Sequence, residues 1–218
     1  MQPNLFAPYE PDLPKGVRLF VGMLTDQEQL EILDAVGDVI AKAPLFRPQM
    51  PTGPYMINTL TNCGEVGWVS DKRGGYRYQE THPETGKPWP PIPAAVVDCA
   101  REAAMRALDV EFEPDACLVN VYQEDGKLSL HRDYDEADFR WPIVSLSFGQ
   151  AADFVLGGMK RGDRTIPIAL FSGDVLVFGA ESRLRYHGVK KIRPGTSPIT
   201  HPILPARGRI NLTLRRAR

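Results

Sequence analysis

The segment SLHRDYDEADF, residues 129–139, sets His131 two positions before Asp133 in a chain with only four histidines. On a β-strand, residues i and i+2 project from one face, so this imidazole and this carboxylate can address one small object. Both side chains ligate divalent metals, but two donors do not make a site. His187, in the late segment RLRYHGV, is the candidate third ligand. Two imidazoles and one carboxylate on a rigid β-scaffold form the facial triad of a non-haem Fe(II) oxygenase, with metal positions left open. The competing reading is a surface acid, a packed core histidine and a turn histidine. His82 and His201 stand beside prolines and are given no role.

Such an iron needs a source of electrons to activate O2. In RINLTLR, Arg209, Asn211, Thr213 and Arg215 alternate with Ile210, Leu212 and Leu214. Guanidinium groups grip carboxylates with two parallel bonds and stay charged when enclosed, so an inward polar face here suits a small dicarboxylic acid. Asn120 and Tyr122, in NVY, likewise share a face and add hydrogen-bonding capacity. An exposed strand with a polar outer face gives the same alternation.

The elements that must position these groups come in two styles. TDQEQLEILDAVGDVIAKAP predicts a helix with Thr25 and Glu28 as a capping box, and Leu30, Leu33, Val36 and Ile40 as its apolar stripe. PAAVVDCAREAAMRAL predicts a second helix, with Pro93 near its first turn. Between them lies a long Gly-, Pro- and aromatic-rich stretch, read as short strands and loops forming a lid. From residue 115 onwards, ACLVNVY, LSLH, PIVSLSFG, DFVLGG, TIPIALF, DVLVFG, YHGV and RINLTLR are β-runs separated by turns. That pattern predicts a mainly β protein with flanking helices: a double-stranded β-helix (jelly roll) core over residues 115–218, and a helical and lid extension over 1–114.

Composition bounds the rest. The chain has 218 residues, 43% hydrophobic and 24% charged, as in one good-sized soluble domain. No apolar run approaches a membrane span. MQPNLFAPYEPDLPKG has acids and prolines where a signal peptide carries basic and apolar regions, so a cytoplasmic location is expected. Cys63, Cys99 and Cys117 lack metal-site spacing and read as reduced, buried small hydrophobes. A net charge of -1 argues against a protein held to nucleic acid by bulk charge alone. The charge is nonetheless uneven: residues 182–218 hold ten Lys and Arg and no acid, which suggests a face for a polyanion.

Taken in order, PDACLVNVYQEDGKLSLHRDYDE, PIVSLSFG, GDVLVFGAESRLRYHGV and RINLTLR resemble the AlkB-type Fe(II)- and 2-oxoglutarate-dependent dioxygenases. TNCGEVGW and GYRYQETHPETGKPWP extend the likeness, which covers nearly the whole chain and weakens over the first twenty residues. The resemblance implies that His131, Asp133 and His187 ligate Fe(II). It implies that Arg209, Asn211 and Tyr122 hold the distal carboxylate of 2-oxoglutarate, with Asn120 and Arg215 at its metal-side end. It places a flipped base between Trp68 and His187, with Tyr76 and Tyr78 nearby on the lid, and Asp135 and Arg161 at its polar edges. Lys127, Arg161, the DKRGG loop and the basic tail would hold phosphates.

The implied activity is oxidative demethylation of 1-methyladenine and 3-methylcytosine in DNA. It would consume O2 and 2-oxoglutarate, with ascorbate as reductant in vitro, and release formaldehyde, succinate and CO2. Such bases pair poorly and are cheaper to extrude than intact ones. Single-stranded substrate, no membrane partner and a monomer are expected. An RNA base demethylase of the same kind and a non-catalytic nucleic-acid-binding jelly roll are the alternatives. Three departures from the family pattern stand out: a lid loop longer by one residue, at Arg73 to Gly75, Phe178 and Leu60 in the pocket wall, and a longer KKIRPGTSPITHPILPARG.

Overall fold

A computed structural model describes residues 12–218; most of the segment read above as unlike a signal peptide lies outside the described residues. Strand β1 (Val17–Phe20) precedes helix α1 (Asp26–Lys42), and three short strands follow: β2 (Thr59–Gly64), β3 (Gly67–Asp71) and β4 (Gly75–Gln79). Helix α2 (Ala94–Leu108) leads into β5 (Ala116–Tyr122), β6 (Leu128–His131), β7 (Ile143–Gly149) and β8 (Ala151–Leu156). The chain ends with β9 (Ile166–Leu170), β10 (Val175–Phe178), β11 (His187–Arg193) and β12 (Arg209–Arg215). All eight β-runs expected after residue 115 are strands. YHGV extends through Lys190–Arg193, because Val189 to Arg193 pair along β8.

These strands form the two antiparallel sheets of a jelly roll. The larger runs β1-β10-β7-β12-β5-β2 and the smaller β6-β11-β8-β9. Thus β1 and β2, from the first 114 residues, complete both edges of the larger sheet, while β3 and β4 pair as a separate hairpin. Period-two alternation divides the larger sheet cleanly. Val119, Val121, Leu146, Phe148, Ile210, Leu212 and Leu214 pack with the helices. Ile143, Leu176 and Phe178 face the smaller sheet and meet Phe154, Leu156, Ile168 and Leu170. Burial on both faces explains why β5 and β7 are buried along their whole lengths.

Helix α1 starts as expected: Glu28 N–H donates to Thr25 Oγ1 at 3.3 Å and Thr25 N–H to the Glu28 carboxylate at 2.8 Å. Its buried face differs from the expected stripe. Ile32, Leu33, Val36 and Val39 are buried with Gln29, whereas Leu30 and Ile40 are only half-buried. The cause is polar. The Gln29 amide donates to Leu24 O at 3.0 Å and accepts from Ser172 Oγ at 2.6 Å, which fixes the rotation of the helix. Pro93 caps α2 from outside its first turn, and Ala100, Ala103 and Ala104 let the helix pack closely on the sheet. Among the described residues no helix is long and apolar enough to cross a membrane.

This rotation has a measurable consequence. Ile32→Ala is expected to cost about 2–5 kcal/mol of unfolding free energy, and Leu30→Ala less than half as much, as read from urea midpoints. Equal losses would mean that the helix presents the Leu30 face instead.

Candidate metal centre and active-site cavity

His131 is the last residue of β6, and its register partner on β11 is His187. Directly opposed positions on antiparallel strands bring the side chains together, and the two imidazole centroids stand 4.4 Å apart. Asp133 does not lie on the strand, as the two-residue spacing suggested, because β6 ends at His131. It belongs to the irregular segment that follows, yet its carboxylate still reaches both rings. Asp133 Oδ1 is 3.7 Å from His131 Nε2, and Oδ2 is 3.9 Å from His187 Nε2. One donor atom from each residue lies within 4.8 Å of the others.

The opposite ring nitrogens face carbonyls, His131 Nδ1 to Ser129 O at 2.9 Å and His187 Nδ1 to Arg185 O at 3.1 Å. A carbonyl only accepts, so each Nδ1 carries the proton and each Nε2 presents its lone pair to the shared point. Burial, with His131 beside it, lowers the His187 pKa to about 4 and keeps it a neutral ligand. Burial alone would raise Asp133. The Arg215 guanidinium, with His187, His131 and Arg183, instead holds its carboxyl well below the usual carboxylate range. Two imidazoles and one ionised carboxylate are a donor set suited to Fe(II).

A buried charge network supports this centre, and the sequence reading missed two of its members. Arg215 donates to Asp133 Oδ2 through Nε at 2.9 Å and approaches it through Nη2 at 2.7 Å; its Nε also lies 3.5 Å from Glu136. Arg183 meets Glu136 Oε2 at 3.0 Å and donates to Trp141 O at 2.9 Å and Asp133 O at 3.0 Å. The Tyr78 hydroxyl donates to Glu136 Oε1 at 2.7 Å. Arg215, expected at the metal-side end of 2-oxoglutarate, lines the cavity and also clasps the metal-ligand candidate Asp133. Tyr78, expected against the substrate, lines none of the cavity, because its hydroxyl is engaged below by Glu136. Glu136 is the last acid of DYDE and breaks the period of Asp133 and Asp135, so no alternation argument points to it.

Beside the metal centre lies a cavity of about 850 Å³, lined by both sheets and the β3–β4 hairpin. Its floor follows from register: Arg209 opposes Tyr122, and Asn211 opposes Asn120. Arg209 is fully buried and donates to Ser147 Oγ at 2.7 Å, Leu170 O at 3.2 Å and Gln150 O at 3.3 Å. All three acceptors are neutral, and among the described residues no carboxylate lies within ion-pair distance. Burial brings its pKa down to about 10, so it stays cationic at neutral pH. A buried cation without a counter-charge is costly, and here it lines a cavity that can admit an anion. Burial also pushes the Tyr122 phenol up to about 12, which keeps it a hydrogen-bond donor. Asn211 differs from expectation. Its amide donates to Ser145 Oγ at 2.8 Å and Leu146 O at 2.9 Å, so it braces the floor and has no hydrogen left for a ligand.

The mouth is aromatic. Asn62 exchanges two 3.0 Å hydrogen bonds with the Trp68 backbone, holding β3 in place. The Trp68 indole stacks on Tyr76 with centroids 5.5 Å apart and donates to Asp135 Oδ2 at 3.0 Å. His187 cannot face it as the second plate, because Phe154 and Phe178 pack against its ring at 5.9 and 5.0 Å. The open imidazole is that of His131, whose side chain is 34% exposed against 9% for His187. Arg161 lines the cavity and donates to Leu130 O at 2.7 Å. Leu60 and Phe178 are fully buried in the wall. The basic tail is not one free face. Arg183, Arg209 and Arg215 are buried, and Arg193, Arg207 and Arg218 pair with Asp153, Glu124 and Glu80.

A His-Asp-His centre set in a jelly roll, above a cavity whose floor holds an unpaired guanidinium, defines the class of non-haem iron oxygenases that take a small acidic co-substrate. The comparisons agree. The 2OG-Fe(II) oxygenase superfamily matches residues 16–215, and the chain belongs to it. The protein is therefore an Fe(II)- and 2-oxoglutarate-dependent dioxygenase. It is 42% identical over 217 residues, 98% of this chain and 97% of the other, to the alpha-ketoglutarate-dependent dioxygenase AlkB of Escherichia coli strain K12. A partial relative, 43% identical over 120 residues (52% of this chain, 27% of the other), is the Arabidopsis thaliana DNA N(6)-methyladenine demethylase ALKBH1D. A solved structure titled "The structure of OsALKBH1" superposes with a TM-score of 0.78 at 29% identity, covering 94% of this chain and 99% of that one.

The charge network predicts a specific pattern of stability. Arg183→Ala leaves Glu136 buried without its main counter-charge and is expected to cost about 3–5 kcal/mol. Replacing both partners, as Arg183→Met with Glu136→Leu, should recover a large part of that loss in urea unfolding. A double variant as unstable as the single one would show that Arg183 acts through its carbonyl contacts alone.

Proposed function

We propose that this dioxygenase removes N-methyl groups from alkylated bases, 1-methyladenine and 3-methylcytosine, in single-stranded DNA as a step of alkylation repair. The observation that carries the reading is the hydrogen bond from the Trp68 indole to Asp135, which sets an aromatic plate and a carboxylate together two residues from the metal-ligand candidate Asp133. Both methylated bases are cations at neutral pH. An indole face and a nearby carboxylate favour a cationic ring over the neutral parent base. The names of the relatives, an AlkB dioxygenase and a DNA demethylase, support the same substrate class.

The roles divide along the cavity. His131, Asp133 and His187 would hold Fe(II). Arg209 and Tyr122 would bind the distal carboxylate of 2-oxoglutarate, and Asn120 would donate towards its metal-side end. When bound, the iron, with 2-oxoglutarate and O2, supplies oxidation of the N-methyl group, which leaves as formaldehyde while succinate and CO2 form. Trp68 and the exposed His131 ring would flank the base, Tyr76 would back the indole, and Asp135 and Arg161 would reach its polar edges. Leu60, Phe154 and Phe178 keep water from the methyl group. The β3–β4 hairpin is read as a nucleotide-recognition lid, with Lys72, Arg73 and Lys127 towards phosphates. The reading includes a monomer, and a cytoplasmic location supported by three free buried cysteines.

Two measurements test this reading. A single-stranded oligonucleotide with one 3-methylcytosine, incubated with the protein, Fe(II), ascorbate and 2-oxoglutarate, is expected to lose 14 mass units (about one CH2) by mass spectrometry. The Asp133→Ala protein should leave it intact. Succinate formation with the methyl group retained would refute the substrate. Separately, Arg209→Met is expected to raise the half-saturating 2-oxoglutarate concentration about a hundredfold. An unchanged value would move the carboxylate site elsewhere.

A further inference from the structure

The pairing of β6 with β11 is not a regular ladder. His131 opposes His187 and Leu128 opposes Val189, so one residue on β11, Gly188, faces two on β6, Ser129 and Leu130. Two against one is a β-bulge, a device that re-aims the side chains beside it. In an unbroken strand His131 and Leu128, three positions apart, would point to opposite faces. The bulge turns both inward. Leu128 packs with Val189 on the cluster of Tyr122, Ala152 and Ile192, and His131 meets His187. The carbonyls of the bulge are also occupied. Ser129 O faces His131 Nδ1 at 2.9 Å, and Leu130 O accepts from Arg161 at 2.7 Å.

This close approach of the two strands requires a glycine. A Cβ built on Gly188 would stand 2.6 Å from Leu128 O, 3.2 Å from Leu130 N and 3.2 Å from the Ser129 carbonyl carbon. Its φ is not positive, so a side chain is excluded by space rather than by backbone conformation. All three neighbouring atoms are backbone. No rotamer relieves the contact, and a strand must move. Topology decides which. On its other side β11 is held along β8, with His187, Gly188 and Val189 opposite Leu156, Val155 and Phe154, and β8 in turn pairs with β9. β6 is an edge strand, paired within its sheet to β11. A Cβ at Gly188 therefore displaces β6 and His131 with it, while His187 keeps its place on β8 and Asp133 keeps its bond to Arg215. We propose that Gly188 is a positioning residue for the metal centre: by admitting the β6 bulge, it sets His131 within reach of the same ion as His187 and Asp133. This rests on the reading of those three residues as the Fe(II) ligands.

The test reads metal affinity rather than turnover. Mn(II) is titrated into the full-length protein with 2-oxoglutarate, and free Mn(II) is followed by electron paramagnetic resonance. The unfolding midpoint of the metal-free protein is measured alongside. Gly188→Ala is expected to weaken Mn(II) binding about tenfold, and His131→Ala, the reference for outright loss of that ligand, by more. Gly37→Ala in α1, whose added Cβ would meet only Ile203 at 3.6 Å, should leave Mn(II) affinity unchanged. A role confined to packing would lower the midpoint of Gly188→Ala and leave its Mn(II) affinity at the unaltered value, which would overturn the proposal. If Gly188→Ala does not fold, deletion of Ser129 takes its place. That deletion removes the extra residue of β6 without placing an atom beside Gly188, and a similar loss of Mn(II) affinity is expected. Full affinity in the deletion protein would refute the role of the bulge. If His131→Ala binds Mn(II) as tightly as the unaltered protein, the ligand assignment itself fails, and the positioning role falls with it. Weak binding by His131→Ala with full binding by Gly188→Ala leaves the ligands standing and refutes the positioning role alone.

Discussion

The buried pairing of Asp133 and Glu136 with Arg215 and Arg183 is the constraint on which the rest of the site depends. Two carboxylates and two guanidiniums sit together out of water, near electrical neutrality. Each charge alone would be expensive to bury, so the four are stable only as a set. The set also spans the fold. Arg215 comes from the end of β12, Arg183 from the turn between β10 and β11, and both acids from the segment after β6. That segment has no ladder hydrogen bonds to fix it, and these ionic contacts take their place. A metal-ligand candidate on irregular backbone is thereby held at two points, its carbonyl by Arg183 and its carboxylate by Arg215.

Strand register does the corresponding work for the two imidazoles. His131 and His187 meet because they are cross-strand partners, and a slip of one residue in either strand would send one ring to the opposite face. Register also composes the cavity floor, where β12 and β5 align Arg209 with Tyr122 and Asn211 with Asn120. The floor then differs sharply from the metal centre. There every charge has a protein partner, whereas Arg209 has only neutral acceptors. An anionic co-substrate adds to the second environment the charge that the first already contains, so the chain prepares one end for a metal and the other for a carboxylate.

Much of this was legible in the sequence because alternation and capping are local. RINLTLR announced both faces of β12, and Thr25 with Glu28 announced the start of α1. The triad was legible because the types of its side chains restrict their chemistry so strongly. What failed was decided by contacts distant in sequence. The rotation of α1 is fixed by Gln29 against Ser172, and the spacing of hydrophobic residues within the helix contains no trace of it. Glu136 and Arg183 were missed because a buried ion pair looks, residue by residue, like surface charge. The basic tail hides its environment in the same way: of its eight arginines, three are buried and three more are paired with acids. His187 was assigned as a stacking plate because its position in the chain says nothing of Phe154 and Phe178 closing over it.

The hairpin and the metal segment are joined at two consecutive residues, and this makes the substrate side and the metal side a single mechanical unit. Trp68 and Tyr78 are register partners on β3 and β4. Trp68 donates to Asp135, and Tyr78 donates to Glu136. One bond is exposed at the cavity mouth, and the other is buried in the charge network. The exposed bond is free to exchange partners with an arriving base, while the inner one, set among the charges of Glu136, Arg183 and Arg215, resists breaking. The hairpin can therefore adjust its indole to the substrate without losing its footing. Displacement of the hairpin as a whole would have to pull on Glu136, and through Arg215 on Asp133. Recognition of the base and the geometry of the metal ligands are coupled through this short path of side chains.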